Sequence, residues 1–451
     1  MLSTVNSAIS AFVWGTPMLA VFLGTGLFLS LKTGFYQIFG LKEWLGSTVF
    51  SKNKFQKEKG SISQMSALTT ALAACLGTGN IVGVATALCS GGPGAIFWMC
   101  ISAVLGMMTC CCENILGVKY RVRDENGQWL GGPMYYIERG VGIKPLAGAY
   151  AVFLTGASLG MGNMTQANSV SQGLSGFGVP PVATGLLLAV LVGFSVSGGL
   201  KRISAFSEKL IPVLSASFIL ACFIIIAKNA ENLLPCLKSI VKEAFTVKAV
   251  SGFGMAKAAR YGISRGVFSN EAGLGSSAVI HAAADCDNPA RQGQWGILEV
   301  FIDTVLMCTV TAAAILTSGV WSSETGLNGV ELCSAVFESV FGRAGGYFLN
   351  ICICLFAFAT LAAWSYYGKS GAEYLFSKKS GNIYNVIYTA AAFAGSVIRL
   401  ESVWSFSDTF NGLMAIPNIF ALLLLSGEAV GELKNNVFQR KSIEKKRRTV
   451  I

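Results

Sequence analysis

The sequence predicts an all-α, polytopic membrane protein with about eleven transmembrane helices. Three observations predict it. Of the 451 residues, 53% are hydrophobic and only 13% charged, whereas a soluble domain carries about 25% charged residues; mean hydropathy is +0.58. Apolar runs of the ~20 residues that cross a bilayer as a helix recur along the chain. Two of these runs are interrupted near their middles by glycine and small polar residues.

Span 1 covers about 10–31 and lacks the basic start and short apolar core of a cleaved signal, so it is a retained helix. A basic loop with Lys42, Lys52, Lys54, Lys57 and Lys59 follows. Span 2, about 63–90, carries no charged side chain, yet its centre reads Leu76-Gly77-Thr78-Gly79-Asn80-Ile81. Glycine loosens a helix, and Thr and Asn offer its backbone other partners. Unwound backbone at that depth must be buried in protein or line a wet cavity. It reads either as a broken helix beside a ligand or as a small-residue packing face.

Span 3 starts after the Gly91-Gly92-Pro93-Gly94 turn and reaches about 116; Lys119, Arg121, Arg123, Arg139 and Lys144 lie beyond it, around a second turn at Gly131-Gly132-Pro133. Spans 4 to 6 cover about 145–170, 180–196 and 205–227, and a mixed-charge segment leads to span 7, about 251–284. Spans 8 to 11 fall near 292–316, 343–375, 382–398 and 403–425, followed by a basic tail at 434–448. Eleven spans put the two ends on opposite sides. The loops on the side of the tail hold most Lys and Arg, the other side only Lys228, Lys238, Lys242, Lys248, Arg343 and Arg399. The N-terminus is therefore expected outside and the C-terminus in the cytoplasm. The formal charge of +11 suits an anionic membrane surface rather than nucleic acid.

Most of the 13 cysteines lie in apolar runs, where a thiol acts as a small hydrophobe, so no disulfide framework is expected. Cys110-Cys111-Cys112 has no partner cluster at zinc spacing. With no histidine pair, metal cluster or nucleophile beside a base, enzyme chemistry is not expected.

Span 7 repeats the theme of span 2: Ser269-Asn270-Glu271-Ala272-Gly273-Leu274-Gly275-Ser276-Ser277 interrupts it five spans later. Interrupted segments in matching positions of two halves point to a transporter site built from repeats. The chain then divides into an extra N-terminal helix and loop (1–62), a first repeat (63–228), a connector (229–250), a second repeat (251–427) and a tail (428–451). An odd number of spans per half inverts one repeat relative to the other.

At these residues the chain resembles the alanine or glycine:cation symporter family, a branch of the amino-acid–polyamine–organocation transporters. The matching pieces are Gly77-Thr78-Gly79-Asn80-Ile81, Gly91-Gly92-Pro93-Gly94-Ala95-Ile96-Phe97-Trp98-Met99, Gly131-Gly132-Pro133-Met134-Tyr135-Tyr136-Ile137, Phe268-Ser269-Asn270-Glu271-Ala272-Gly273 and Trp364-Ser365-Tyr366-Tyr367-Gly368. The resemblance implies a five-plus-five inverted repeat (LeuT-like) in a bacterial or archaeal cytoplasmic membrane. Two departures from the family pattern are Cys100, where Trp is usual, and Cys110, where Lys is usual.

An amino-acid zwitterion must have both charges stabilised away from water. Backbone N–H groups of Gly77, Thr78, Gly79 and Asn80 are expected to hold the carboxylate. Carbonyls near Phe268 and the side-chain oxygens of Asn80 or Gln166 are expected to meet the ammonium. The resemblance implies site roles for Thr78, Asn80, Gln166, Phe268 and Trp364. Gly160 and Gly162, near Gln166, leave room for a small side chain, while Phe268 and Trp364 cap the pocket. The plainer readings are an interhelical bond for Gln166 and simple packing for Trp364. By the family's fold a sodium ion lies between spans 2 and 9, with Ala73 and Leu76 carbonyls and the Thr360 hydroxyl as ligands; Thr360 could equally bond back to its own helix.

Charges within spans are costly and are functional or paired. Asn270, Glu271 and Asp303 are gating or structural candidates, with Asp303 also a possible proton route. The single His281 is expected to be a surface or packing residue. The expected function is sodium-coupled import of a small neutral amino acid, alanine or glycine, by a monomer in the lipid bilayer with no organic cofactor. A proton-coupled transporter of the same fold and a non-transporting amino-acid sensor are the alternatives.

Overall fold

The computed structural model describes residues 2–51, 61–246, 254–322, 326–398 and 401–449. The basic residues Lys52, Lys54, Lys57, Lys59, Lys248 and Arg399 lie outside that set. The chain is almost wholly helical. It begins with α1 (Leu2–Val13) and α2 (Thr16–Thr33), which meet at Trp14 and Gly15. Pro17 sits in the first turn of α2, where its missing N–H costs nothing. The short α3 (Tyr36–Phe39) and α4 (Leu41–Ser47) follow.

Span 2 of the sequence is two helices, α5 (Gln64–Cys75) and α6 (Val82–Gly91), with a single 3₁₀ turn over Thr78–Asn80 between them. Next come α7 (Gly94–Lys119), a small antiparallel hairpin of β1 (Val122–Arg123) and β2 (Trp129–Leu130), and α8 (Pro133–Tyr136). The fourth expected span is α9 (Lys144–Leu159), a π-helical turn at Gly160–Met164, and α10 (Thr165–Ser175). The helices α11 (Pro181–Ser197) and α12 (Gly199–Lys228) turn a corner at Gly198, and α13 (Leu233–Ala244) follows.

The seventh expected span is again divided. It comprises α14 (Met255–Asn270), an irregular segment, and the five-residue α15 (Ser277–His281). Beyond it lie α16 (Pro289–Val300), a π-helical stretch at Phe301–Cys308, and α17 (Thr309–Thr317). The remainder is α18 (Gly329–Phe341), α19 (Arg343–Leu375), α20 (Ser380–Val397), α21 (Glu401–Leu424) and α22 (Ser426–Thr449).

Among the described residues, five helical stretches are long and apolar enough to cross a membrane: Asn6–Thr33, Gly94–Lys119, Gly199–Lys228, Pro289–Thr317 and Arg343–Leu375. A sixth is counted if Ser407–Leu424 and Ser426–Val437, bent by 61°, form one span. The divided segments, α5 with α6 and α14 with α15, fall short of that length.

The centre of the bundle is α7, held by α14 on one side and α16 on another. Small residues make the close approach possible. A Cβ on Gly262 would lie 2.1 Å from the Ala95 carbonyl oxygen, and one on Gly266 would lie 2.4 Å from Ser102 Oγ. Gly293 and Gly296 press α16 onto Cys111, Ile115 and Asn114 in the same way. Without a hydrophobic drive between helices in lipid, such close backbone packing supplies the attraction. The perimeter is apolar, with Leu186, Val190 and Phe194 of α11 and Ile383, Val386 and Ile387 of α20 exposed.

Candidate functional site

The first interruption begins where α5 loses its ladder. Leu76 still bonds back to the Leu72 carbonyl at 2.7 Å, but the Gly77 N–H turns to the Cys75 carbonyl at 2.7 Å. A continuing helix would have given that N–H to Ala73. The Ala73 carbonyl is bonded by the Thr360 hydroxyl of α19 instead, at 2.8 Å. Thr360 Oγ1 is also 3.1 Å from the Phe356 carbonyl of its own helix. Gly77 lies directly against this pair: a Cβ there would meet Thr360 Oγ1 at 2.8 Å and Gln166 Oε1 at 3.3 Å.

Gln166 is oriented by the π turn that precedes it. Its Nε2 bonds the Met161 carbonyl at 3.3 Å, and its Oε1 is buried without a protein partner. Gly162 of that turn backs onto Trp364, where a Cβ would come within 2.4 Å of the Trp364 side chain. Trp364 is fully buried, its carbonyl bonded by Ser158 Oγ at 2.5 Å and its ring edge-on to Tyr367 at 5.1 Å. Gly160 packs against Ser407 of α21.

The second interruption is built around residues with left-handed backbone. Glu271 (φ 56°), Gly273 (φ 95°) and Gly275 (φ 76°) turn the chain between α14 and α15. Asn270 assists: its Oδ1 takes the Ala272 N–H at 3.1 Å, the donor that a longer helix would have given to the Phe268 carbonyl. Ser276 Oγ donates to the Glu271 carboxylate. The two interruptions touch where Gly79 faces Ser269, 3.8 Å from a Cβ on Gly79. Phe268 is half-buried beside Trp14, ring centroids 6.2 Å apart. It lies at a cavity of about 340 Å³ that Arg260, Arg265, Asp408 and Trp14 also line.

Asp303, on the π-helical stretch, joins both interruptions. Asn80 Nδ2 donates to Asp303 Oδ1 at 2.8 Å and to its backbone oxygen at 2.9 Å. Ser269 and Thr304 donate to Oδ2 at 2.9 and 2.7 Å. Asn270 Nδ2 reaches Thr304 Oγ1 at 3.0 Å. Gly77, Thr78, Gly79, Asn80, Gln166, Thr360, Asp303 and Asn270 are thus neighbours in one buried region, with Leu76 capping α5 at its edge.

Beyond the second interruption lies a polar network that sequence reasoning missed. Glu299 of α16 accepts from Ser277 at 2.7 Å and faces His281 Nε2 at 3.0 Å; His281 Nδ1 meets Gln292 at 2.6 Å. His281 is fully buried in this pair, so it is not a surface residue. Asn418 donates to Glu113 and, at 2.9 Å, to the Gly273 carbonyl, while Tyr150 donates to the Leu274 carbonyl at 2.9 Å. The signal for Glu113 and Glu299 was available: Glu113 is a lone carboxylate inside an apolar run, and Glu299 shares its run with one other, Asp303.

Comparison with known proteins bears on what this region does. The sodium:alanine symporter family matches residues 1–450. The sodium/alanine symporter AgcS of Methanococcus maripaludis is 43% identical, over 96% of this chain and 96% of its own. The probable sodium/glutamine symporter GlnT of Bacillus subtilis is 36% identical, over 95% of this chain and 90% of its own. Among solved structures, MhsT in complex with L-phenylalanine matches with a TM-score of 0.61 at 16% identity, covering 84% of this chain and 93% of that one. A manganese transporter from Eremococcus coleocola matches with a TM-score of 0.55 at 13% identity, covering 82% and 78%. At those identities the structural likeness is one of fold.

Proposed function

This chain belongs to the sodium:alanine symporter family, a family of transporters rather than enzymes, and from that premise we propose that it imports a small neutral amino acid, alanine or glycine, together with sodium. The observation that carries the reading is the meeting of two interrupted helices around buried, unpaired acceptors. Asn80 Oδ1 and Gln166 Oε1 have no partner among the described residues, and an ammonium group would supply the missing donors. Of the backbone N–H groups expected to hold the carboxylate, that of Gly77 is bonded to the Cys75 carbonyl, and those from Thr78 onward take it in this reading. The Phe268 carbonyl, left by the Ala272 N–H, is a further acceptor.

Sodium needs hard oxygen ligands rather than fixed charge. The Ala73 carbonyl and Thr360 hydroxyl, 2.8 Å apart, and the Leu76 carbonyl are its ligands in this reading. The relatives are named for alanine and for glutamine. The Trp364 side chain packed against Gly162 supports the smaller substrate. The chain works as a monomer with eleven crossings, its repeats at 63–228 and 251–427, the N-terminus outside. Each ion moved inward gains about 2.3 kcal/mol per 100 mV of membrane potential.

The test is uptake of labelled alanine and glycine into proteoliposomes under an inward sodium gradient. Uptake indifferent to sodium but driven by a pH gradient in sodium-free buffer overturns the sodium coupling. Absence of any amino-acid uptake overturns the transport reading itself.

A further inference from the structure

The geometry assigns Asp303 a task in substrate recognition: it is a positioning residue that holds the Asn80 amide one way round, so that Asn80 Oδ1 faces the ammonium. This rests on the transport reading above, and it extends that reading to a group that never touches the substrate.

An amide side chain is nearly symmetric in shape, so its neighbours decide which end is oxygen. Asn80 Nδ2 has three neighbours, the Asp303 carboxylate Oδ1 at 2.8 Å, the Asp303 backbone oxygen at 2.9 Å and Cys308 Sγ at 3.4 Å. The two oxygens only accept, and they are the nearer pair. Turned over, Asn80 would set its own oxygen against two others, losing two hydrogen bonds and meeting repulsion instead. A serine or an amide at position 303 could donate as well as accept, and the orientation would no longer be dictated.

The carboxylate is itself held. Its Oδ2 takes hydrogen bonds from Ser269 Oγ at 2.9 Å and Thr304 Oγ1 at 2.7 Å. Thr304 Oγ1 accepts from Asn270 Nδ2 at 3.0 Å, which leaves the Thr304 proton for Asp303. Donors from the first interruption, from the end of α14 and from its own helix therefore converge on one fully buried carboxylate. What remains of Asn80 is Oδ1, buried and without a partner among the described residues. A buried acceptor left bare is costly, and a substrate ammonium repairs it.

The experiment measures labelled alanine binding to the purified protein in sodium, for wild type, Asp303→Asn, Asn80→Ala and the double variant. Asp303→Asn keeps the shape but lets the amides turn, so alanine affinity falls about tenfold, the scale of a lost charge-assisted contact. Sodium alone still raises its melting temperature as in wild type. The double variant binds no more weakly than Asn80→Ala, because Asp303 acts through Asn80. Wild-type affinity in Asp303→Asn, or losses that multiply in the double variant, overturns the inference. Should Asp303→Asn melt too low for the assay, Thr304→Val, which removes one of the donors that hold the carboxylate, lowers alanine affinity when Asn80 is present and not in the Asn80→Ala background; a folded Thr304→Val variant that binds alanine as wild type does overturns it. A wild-type protein that binds no small amino acid overturns the transport reading, and this inference with it.

Discussion

Replacing Thr360 by valine removes one oxygen and leaves the shape of the side chain almost unchanged. Thr360 is buried, and its hydroxyl is the group that bonds the Ala73 carbonyl at 2.8 Å. With the ion absent, the variant leaves that carbonyl bare, at a cost of about 1 kcal/mol. With the ion bound, one ligand of a charged species is missing, worth about 2–3 kcal/mol. The difference, about 1–2 kcal/mol, weakens sodium binding by about five- to thirtyfold. The assay is alanine uptake into proteoliposomes as a function of external sodium, with melting temperature measured on the same preparations. Half-maximal sodium rises by that factor in Thr360→Val and stays within about threefold in Thr360→Ser, which keeps the oxygen. A folded Thr360→Val protein with the wild-type sodium dependence would refute the ion site.

Gly162→Ala places a methyl within 2.4 Å of the Trp364 side chain, an overpacking that costs about 1–3 kcal/mol; alanine uptake falls at least tenfold, and unchanged uptake would remove Trp364 from the pocket wall. His281→Ala strips Glu299 of a fully buried hydrogen-bond partner 3.0 Å away, which costs about 1–3 kcal/mol and lowers the melting temperature in detergent; an unshifted melt would mean the pair carries no stability. Outside the membrane, burial alone would raise the Asp124 carboxyl, but the Lys378 ammonium at 2.6 Å and the Gln128 and Asn126 N–H groups hold it below its ordinary value. A lowered carboxyl stabilises the contact above the unfolded pKa of about 3.9 and loses that effect as pH falls through the lowered value. Hydrogen exchange in the β1–β2 hairpin should therefore rise only in strong acid, and at higher pH in Lys378→Ala; superimposable profiles would refute the linkage.

Both interruptions were legible because their composition is wrong for a continuous helix in lipid. Gly77-Thr78-Gly79-Asn80 and Glu271 to Ser276 announce themselves against apolar flanks. The convergence of Gln166 and Thr360 on Gly77 was not readable from spacing, since it is a contact between α10, α19 and the first break; the family resemblance supplied those residues. The Glu299–His281 pair was missed although both residues stood in view. Its partners are 18 positions apart on separate helices, and neither residue alone says that the other completes it. The π turn at Gly160–Met164 carries a comparable run, Gly160-Met161-Gly162-Asn163, and the break after Trp14 has Gly15 and Pro17, yet composition does not say which kind of irregularity results; Phe301–Cys308 carries no such mark. These irregularities depend on how neighbouring helices satisfy the loosened carbonyls, as Tyr388 does for Gly162 at 3.2 Å.

The turns at Gly160–Met164 and Phe301–Cys308 each bond back five residues instead of four, so each winding stores one amino acid more than its height requires. That slack behaves like a ruck in a carpet: exchanging one bond at a time moves it along, and everything it passes is swung by about 100°. No amide or carbonyl need be bared to hydrocarbon while it travels. One such surplus residue sits just before Gln166 and another in the stretch that carries Asp303, so a one-residue shift of either would turn the side chain it passes.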